Sequence, residues 1–174
     1  MESTLQDLLN RRSVRAYQDK QVDEETLQKI LLAGQYAPTG MGKQSPKMVV
    51  IQDKETIQYV SKLNASYTGK PDGDPFYGAP TVIIVLADPS MPTYVHDGSL
   101  VMGNLMNAAF ALGVNSCWIH RADAVFASPE GKALLEKWGI DPKYEGVGNC
   151  ILGYAAGELP EAKPRKDDYV VYVR

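Results

Sequence analysis

Three arginines and one serine lie within five residues near the start of the chain, in the run Arg11-Arg12-Ser13-Val14-Arg15. A guanidinium carries forked N–H donors that match phosphate oxygens, and a serine hydroxyl adds a further short donor. The run therefore indicates a phosphate-binding site. The alternative is that these cations simply follow a helix, because the negative end of the helix dipole stabilises positive charge there.

A second basic cluster, Lys163-Pro164-Arg165-Lys166, lies far away in the sequence. It could meet the first cluster on one phosphate, but only the fold decides whether the two come together. Most charge runs are solvated surface segments, and a solvated loop is the alternative interpretation here.

The segment Ala37–Pro46 contains two prolines and two glycines, so it is expected to be a loop. Its glycines leave backbone donors exposed, and Gln44 offers both a donor and an acceptor. Such a set suits the polar edge of a flat heterocycle, although an ordinary connection would have the same composition. Neither Gly-x-Gly pair of the chain has the third glycine of a dinucleotide fingerprint, and no Walker A run is present.

His120 follows an apolar strand and precedes Arg121, and an imidazole titrates near neutral pH, where it could act on a ligand. A structural histidine is the alternative. Cys117 could serve as a nucleophile, yet its neighbours are apolar and no base is adjacent, which favours a buried, unreactive thiol. We therefore expect no catalytic side chain of the protease type and no metal site.

The elements that must position these residues alternate between helices and strands. Caps at Asp23, Asp53 and Ser128 predict the starts of three helices. A further helix is expected to end near Arg11, and another over 99–112. The expected strands are 48–51, 81–86, 116–119, 147–154 and 169–173. This order predicts mixed α/β elements around one sheet.

Particular segments carry further expectations. Thr81–Leu86 is continuously apolar and should be buried on both faces of the sheet. The helix over 99–112 is apolar nearly all round, so it should lie centrally or against a partner. Asn64–Gly78 is polar and rich in Gly and Pro, which predicts a mobile loop or lid. Tyr169–Val173 would be a hazardous exposed edge strand unless it pairs with another chain.

The composition excludes several classes of protein. A chain of 174 residues, 44% hydrophobic and 22% charged, fits one globular domain spanning 1–174. The net charge of −3 gives no general attraction to nucleic acid or anionic membrane, and no apolar run approaches the ~20 residues of a membrane helix. Two cysteines and the absence of a signal-peptide pattern favour a cytoplasmic protein.

Four runs, in order along nearly the whole chain, resemble the FMN-dependent nitroreductase family. They are Arg11-Arg12-Ser13-Val14-Arg15-Ala16-Tyr17, Ala37-Pro38-Thr39-Gly40 with Gln44, Leu112-Gly113-Val114-Asn115-Ser116-Cys117-Trp118-Ile119, and Leu152-Gly153-Tyr154 followed by Pro164-Arg165-Lys166. The resemblance implies an α+β, nitroreductase-like fold with a mixed central β-sheet flanked by helices. It also implies a domain-swapped C-terminal strand and a homodimer that holds two FMN molecules at its interface.

The resemblance further implies a cofactor-binding set in which the flavin performs the chemistry. It assigns Arg11, Arg12, Ser13 and Arg15 to the phosphate and ribityl chain, Lys163 and Arg165 to closure over the phosphate, Pro38, Thr39, Gly40 and Gln44 of the other subunit to the flavin, and Trp118, Ile119, His120 and Arg121 to the stretch facing the ring. The implied activity is ping-pong hydride transfer from NADH or NADPH through FMN to a nitroaromatic, quinone or similar small-molecule acceptor.

The chain departs from the family pattern at three places. Gln44 is followed by Ser45-Pro46 where Pro-Trp often follows directly, Gly42 stands where asparagine is common, and His120 stands where several relatives have glutamate. A cation-capable side chain at 120 would favour anionic acceptors or a reduced, anionic flavin. Two other functions remain open: an FMN carrier or sensor without turnover, and a phosphate-binding protein without a redox role.

Overall fold

The computed structural model of the protein describes residues 3–174, in which helices and strands alternate along the chain. The helices are α1 (Ser3–Asn10), α2 (Glu24–Gln35), α3 (Lys54–Ser66), α4 (Tyr94–Ala111), α5 (Ala122–Ala127) and α6 (Pro129–Lys137). The strands are β1 (Pro46–Ile51), β2 (Thr81–Ala87), β3 (Asn115–Ile119) and β4 (Glu145–Gly153). A short 3₁₀ turn, Gly40–Gly42, precedes β1.

The strands form one sheet in the order β1-β2-β4-β3, so β1 and β3 are its two edges. Every neighbouring pair of these strands is antiparallel, whereas we expected a mixed sheet. Within residues 3–174, parallel pairing occurs at an isolated bridge between Ser13 and Ser116. The start of β1 and the end of β3 therefore lie at the same end of the sheet. The end of β1 and the start of β3 lie at the opposite end.

The hydrophobic core lies on both faces of this sheet. Every residue of β2 is buried, which confirms the expectation from its continuous apolar run. On one face, Ile83 and Val85 meet the apolar sides of α2 and α4. On the other face, Val82, Ile84 and Leu86 meet α3, α5 and α6. Helices therefore cover both sides of the sheet.

Local capping explains where three helices begin. The Asp23 carboxylate accepts from Thr26 N at 2.9 Å ahead of α2, and the Asp53 carboxylate accepts from Thr56 N at 2.8 Å ahead of α3. Ser128 accepts from Gly131 N at 3.1 Å ahead of α6. These contacts satisfy backbone donors that the first turn of a helix leaves unpaired, and they confirm the predicted starts.

Several boundaries were wrong. The helix α4 starts at Tyr94 rather than Ser99, and α5 was not expected at all. The strand β1 begins earlier than predicted, at Pro46, and Ile51 is its only buried residue because β1 is an edge strand. In the expected lid, Asn64 belongs to α3 and is fully buried, and Phe76 is 1% exposed in the core. This segment is therefore anchored at both of its ends.

The C-terminal tail is not a strand in this single chain, contrary to expectation. The side chains of Tyr169–Val173 are between 61% and 96% exposed. Strand propensity alone does not order a segment, because a strand needs the free edge of a sheet to pair with. No helix within residues 3–174 has the length and apolar character needed to cross a membrane.

Candidate functional site

The arginine run lies against the start of β3. Val14 N donates to Ser116 O at 3.0 Å, and Ser13 forms its parallel bridge with the same residue. Val14 is 4% exposed, so the one apolar residue of the run fastens it to the core. The polar residues on either side of Val14 are consequently held beside the edge strand.

Two buried polar atoms beside this run have no hydrogen-bond partner within residues 3–174. They are Nη1 of Arg11 and Oγ of Ser116. Side chains alternate along a strand, and Cys117 lies in the core on the α3 side, so Ser116 and Trp118 point to the α4 side. A buried donor without a partner carries a free-energy cost, which an anionic group bound here would remove.

The other arginines of the run differ from Arg11. Nη1 of Arg12 donates to Leu9 O and to Arg11 O, both at 2.8 Å. These carbonyls lie at the C-terminal end of α1. Nη1 of Arg12 therefore binds the end of the helix, as the alternative interpretation of the run predicted. Arg15 is exposed and makes no hydrogen bond or ion pair within the described residues. Its guanidinium is accessible to a ligand.

Two buried asparagines hold the backbone where β3 ends. Nδ2 of Asn149 donates to Ile119 O at 3.3 Å, and Nδ2 of Asn64 donates to His120 O at 2.8 Å. The two side chains are 1% and 0% exposed. Sequence reasoning missed both residues, although a polar Asn149 inside an apolar strand was a usable signal, because buried amides are retained where they make hydrogen bonds.

The residues after β3 leave the sheet through an unusual turn. Arg121 adopts φ +75°, a left-handed conformation that costs an L-residue roughly 1–2 kcal/mol. Its Nε donates to Tyr67 O at 2.7 Å, which connects it to the end of α3. His120 is exposed, Ile119 is buried, and Trp118 is partly buried against the α4 side. The stretch predicted to face a ring therefore ends in a fixed backbone with His120 on its surface.

The loop before β1 is held by a carboxylate that the sequence did not single out. Asp97, in the first turn of α4, is 2% exposed. It accepts from Gly40 N at 2.9 Å, from Ser45 Oγ at 2.8 Å and from Thr93 Oγ1 at 3.2 Å. Burial by itself would raise the pKa of Asp97, but these hydrogen bonds bring that pKa below its usual value. Asp97 is therefore a buried anion at neutral pH.

This loop and the end of β3 do not come together in one chain. The loop leads into β1 and His120 follows β3, and these strands are opposite edges of the sheet. Three strand spacings separate the edges, about 14 Å. Pro38 and Gln44 are exposed, while Thr39 and Gly40 are partly buried.

No hydrogen bond joins the second basic cluster to the first within residues 3–174. Lys163 and Arg165 are exposed, and Nη1 of Arg165 donates to Lys163 O at 3.0 Å. The segment that leads to them does start near the arginine run, because Ala156 N donates to Ala16 O at 3.0 Å. Convergence of the two clusters on one phosphate therefore stays a prediction.

A cavity of about 570 Å³ lies elsewhere, between the first half of α3 and the segment 73–80. Its wall includes Tyr17 but none of the residues predicted to bind the cofactor. Part of its polar lining is already paired within the chain: Gln52 Nε2 donates to Thr81 Oγ1 at 3.1 Å, and Ser61 Oγ donates to Asp74 Oδ1. The unpaired donors at Arg11 and Ser116 are better evidence of a binding site than this volume.

Comparison with known proteins gives the family. The model of the Nitroreductase family matches residues 8–154. A protein of Archaeoglobus fulgidus, provisionally named an NADH dehydrogenase/NAD(P)H nitroreductase, is 32% identical over 164 residues, covering 91% of this chain and 88% of that protein. A nitroreductase of Bacteroides fragilis solved with bound FMN superposes with a TM-score of 0.92 at 28% identity, and one of Desulfitobacterium hafniense, also with FMN, at 0.88 and 26%. Both cover 100% of each chain.

The chain belongs to the nitroreductase family. The family match spans the arginine run, the proline loop and all of the sheet. The resemblance drawn from the four sequence runs is confirmed, and so is the α+β nitroreductase-like fold. The roles of the individual site residues and the swapped C-terminal strand stay predictions.

Proposed function

We propose that the protein is an FMN-dependent NAD(P)H oxidoreductase that passes electrons to nitroaromatic, quinone or similar acceptors. The observation that carries the proposal is the pair of buried, unpaired donors, Arg11 Nη1 and Ser116 Oγ, on the side of β3 that also holds Trp118. The names of the relatives support the same chemistry, since they refer to bound FMN and to NAD(P)H.

The phosphate and ribityl chain of FMN bind at the arginine run in this proposal. Arg11, Ser13 and Arg15 donate to them, and Arg12 contributes with the nitrogens that do not bind the end of α1. The exposed segment carrying Lys163 and Arg165 closes over the phosphate in this proposal. Four residues of a strand span about 13 Å. In this proposal the flavin ring therefore lies further along β3 than the phosphate does, beside Trp118 and His120.

When bound, FMN supplies the redox chemistry, accepting a hydride from NAD(P)H and passing electrons to a second substrate in the same slot. The chain's own residues bind and orient the partners. Asn64 fixes the carbonyl of His120 and Asn149 that of Ile119, so the wall beside the ring keeps one shape. No titratable side chain is required to form a covalent bond.

The site is completed by a second copy of the chain in this proposal. The proline loop lies at the opposite edge of the sheet from β3, so Pro38, Thr39, Gly40 and Gln44 serve the flavin of the partner. Apolar surface supports a dimer, because Leu5, Leu8 and Leu9 of α1 and Leu100 of α4 are between 45% and 54% exposed. Obligate interfaces are large and apolar, and such residues suit one.

The purified protein should carry FMN and not FAD. The chain offers clustered arginines for one phosphate and lacks a dinucleotide fingerprint. Heat release followed by chromatography of the released flavin against both standards measures this. FAD, or a protein that neither carries nor binds flavin, would contradict the assignment.

Replacing His120 by alanine should change acceptor preference while leaving reduction of the flavin largely intact. His120 is exposed at the end of β3, where its imidazole can donate a hydrogen bond to an anionic acceptor. The measurement compares kcat/KM for an anionic and a neutral quinone. The matched control is His96→Ala, which alters the chain's other histidine. If flavin reduction by NAD(P)H stops in His120→Ala, His120 has a catalytic role that this account does not include.

Replacing Cys117 by serine should retain turnover within about twofold, because hydride transfer needs no thiolate. Cys117 and Cys150 are both buried, and they lie on opposite faces of the sheet. Burial raises the pKa of Cys150 to about 12, so that thiol stays neutral at physiological pH. Steady-state rates with FMN content measured in parallel give the test. Loss of turnover with FMN still bound would assign the thiol a role in the reaction.

A further inference from the structure

The proline loop has a backbone that most residues avoid. Met41 has φ +53° and Gln44 has φ +51°, and Gly42 between them has φ +65°. Left-handed conformations of non-glycine residues persist only where the surrounding structure enforces them, and they concentrate at functional sites. Hydrogen bonds within the loop, from Gln44 N to Thr39 Oγ1 and from Gly42 N to Thr39 O, both at 3.0 Å, support part of this shape, and a group outside the loop adds to them.

Asp97 is the group outside the loop that ties its two ends to a helix. The carboxylate accepts from Gly40 N on one side of the turn and from Ser45 Oγ on the other, so it ties both ends of the strained segment to α4. Gly40 also packs closely against Thr93, since a Cβ built on Gly40 would lie 2.3 Å from Thr93 Oγ1. A buried anion with three donors is costly to disturb, since each donor would lose a charged partner.

The loop turns its outer surface away from its own chain. Met41 is 80% exposed, and Pro38 and Gln44 are exposed as well. The loop is thus rigid underneath, where Asp97 lies, and open on the side that the proposed dimer would present to the partner's flavin. A rigid, strained loop with an open outer face suits preorganised contact with a ligand.

We propose that Asp97 is a positioning residue of the flavin site: it fixes residues 38–46 in the left-handed shape that presents Thr39, Gly40 and Gln44 to FMN bound by the second copy. This inference rests on the proposed function. Asp97 itself does not touch the cofactor. Its carboxylate acts through the backbone of Gly40 and the hydroxyl of Ser45.

The test compares FMN binding by Asp97→Ala and Asp97→Asn with wild type, by titrating the apoprotein and following flavin fluorescence. Asp97→Ala should weaken FMN binding by up to about ten- to a hundredfold, because binding would then have to restore the loop shape that the lost charge-assisted hydrogen bonds had held. Asp97→Asn should lose less, because its carbonyl oxygen can still accept from Gly40 N. The visible circular dichroism of bound FMN should change in Asp97→Ala, since the ring would lose an ordered neighbour.

Asp53→Ala is the matched control. Asp53 also accepts from a backbone N–H and a hydroxyl, both of Thr56, but it caps α3 away from the loop. This variant should lose folding stability with unchanged FMN affinity and unchanged circular dichroism of the flavin. If Asp97→Ala does not fold, Asp97→Asn and Ser45→Ala carry the same test, because each disturbs one side of the carboxylate.

The outcomes separate this inference from the proposed function. If wild type binds FMN and the Asp97 variants bind it as tightly as Asp53→Ala does, the inference is wrong while the proposed function stands. If wild type itself does not bind FMN, the proposed function fails. A graded loss, largest in Asp97→Ala and intermediate in Asp97→Asn, with Asp53→Ala unchanged, is the result that the inference predicts.

Discussion

Replacing Arg15 by alanine should weaken FMN binding about ten- to a hundredfold, because a charge-assisted hydrogen bond contributes about 1.5–3 kcal/mol. Folding should hardly change, since Arg15 is exposed and makes no hydrogen bond or ion pair within residues 3–174. Arg165→Ala should behave in the same way, because within residues 3–174 the Arg165 side chain donates to the Lys163 carbonyl, two residues earlier, and to no other group. Titration of the apoprotein with FMN, alongside thermal unfolding, measures both quantities.

Riboflavin sharpens this prediction because it lacks the phosphate. Arg15→Ala and Arg165→Ala should bind riboflavin as wild type does, so their loss should be confined to FMN. The charge-matched control is Lys29→Ala, an exposed cation of α2 that pairs with Glu25 at 2.6 Å. Equal FMN affinity in wild type and both arginine variants would place the phosphate elsewhere.

Ending the chain after Asp168 should abolish both the dimer and FMN binding. The removed residues include Tyr169–Val173, which are 61–96% exposed in one chain. In the proposed dimer these side chains are buried against the partner chain. Burying one Val or Tyr side chain contributes about 1.5–3 kcal/mol, so losing several should weaken the dimer about a hundredfold or more. Size-exclusion chromatography with light scattering, read together with flavin absorbance, follows both losses.

A chain ending after Val173 is the control for that truncation. It lacks only Arg174, which contacts the ring of Tyr172 within its own tail. This control should remain dimeric and yellow. A truncated protein that is a monodisperse monomer with bound FMN would show that one chain suffices for the site, and the shared-site proposal would then be wrong.

The buried central strand and three of the helix starts could be predicted because their causes are local. Thr81–Leu86 is an uninterrupted apolar run, and the structure buries every residue of it. Asp23 and Asp53 each accept from a backbone N–H three residues ahead, a spacing visible in the sequence. The four runs that carry the family resemblance are likewise readable without coordinates.

The contacts that shape the site could not be predicted, because they join residues distant in sequence. Sequence patterns did not single out Asp97, because its partners Gly40 and Ser45 lie more than fifty positions away. The same holds for Asn64 and the His120 carbonyl. In such cases the function of a polar side chain depends on which segment packs against it, and local patterns do not contain that information.

The tail is a different case. Tyr169–Val173 has strong strand propensity, yet a strand forms only where backbone groups find partners. One chain supplies no neighbouring strand for it within residues 3–174, so the tail is not a strand there, and a swapped strand in a dimer stays a prediction. Arg12 is a related case. Its place in an arginine run predicted a phosphate contact, but its Nη1 donates instead to carbonyls at the end of α1.

Anaerobic half-reactions of the FMN-loaded protein test the central claim most directly. Adding NADH or NADPH in equimolar amount should bleach the visible absorbance of the flavin. Subsequent addition of menadione to the reduced protein should restore that absorbance. This result would distinguish an oxidoreductase from an FMN carrier or sensor. Absorbance that stays unchanged with both NADH and NADPH, in protein shown to hold FMN, would contradict the proposed function.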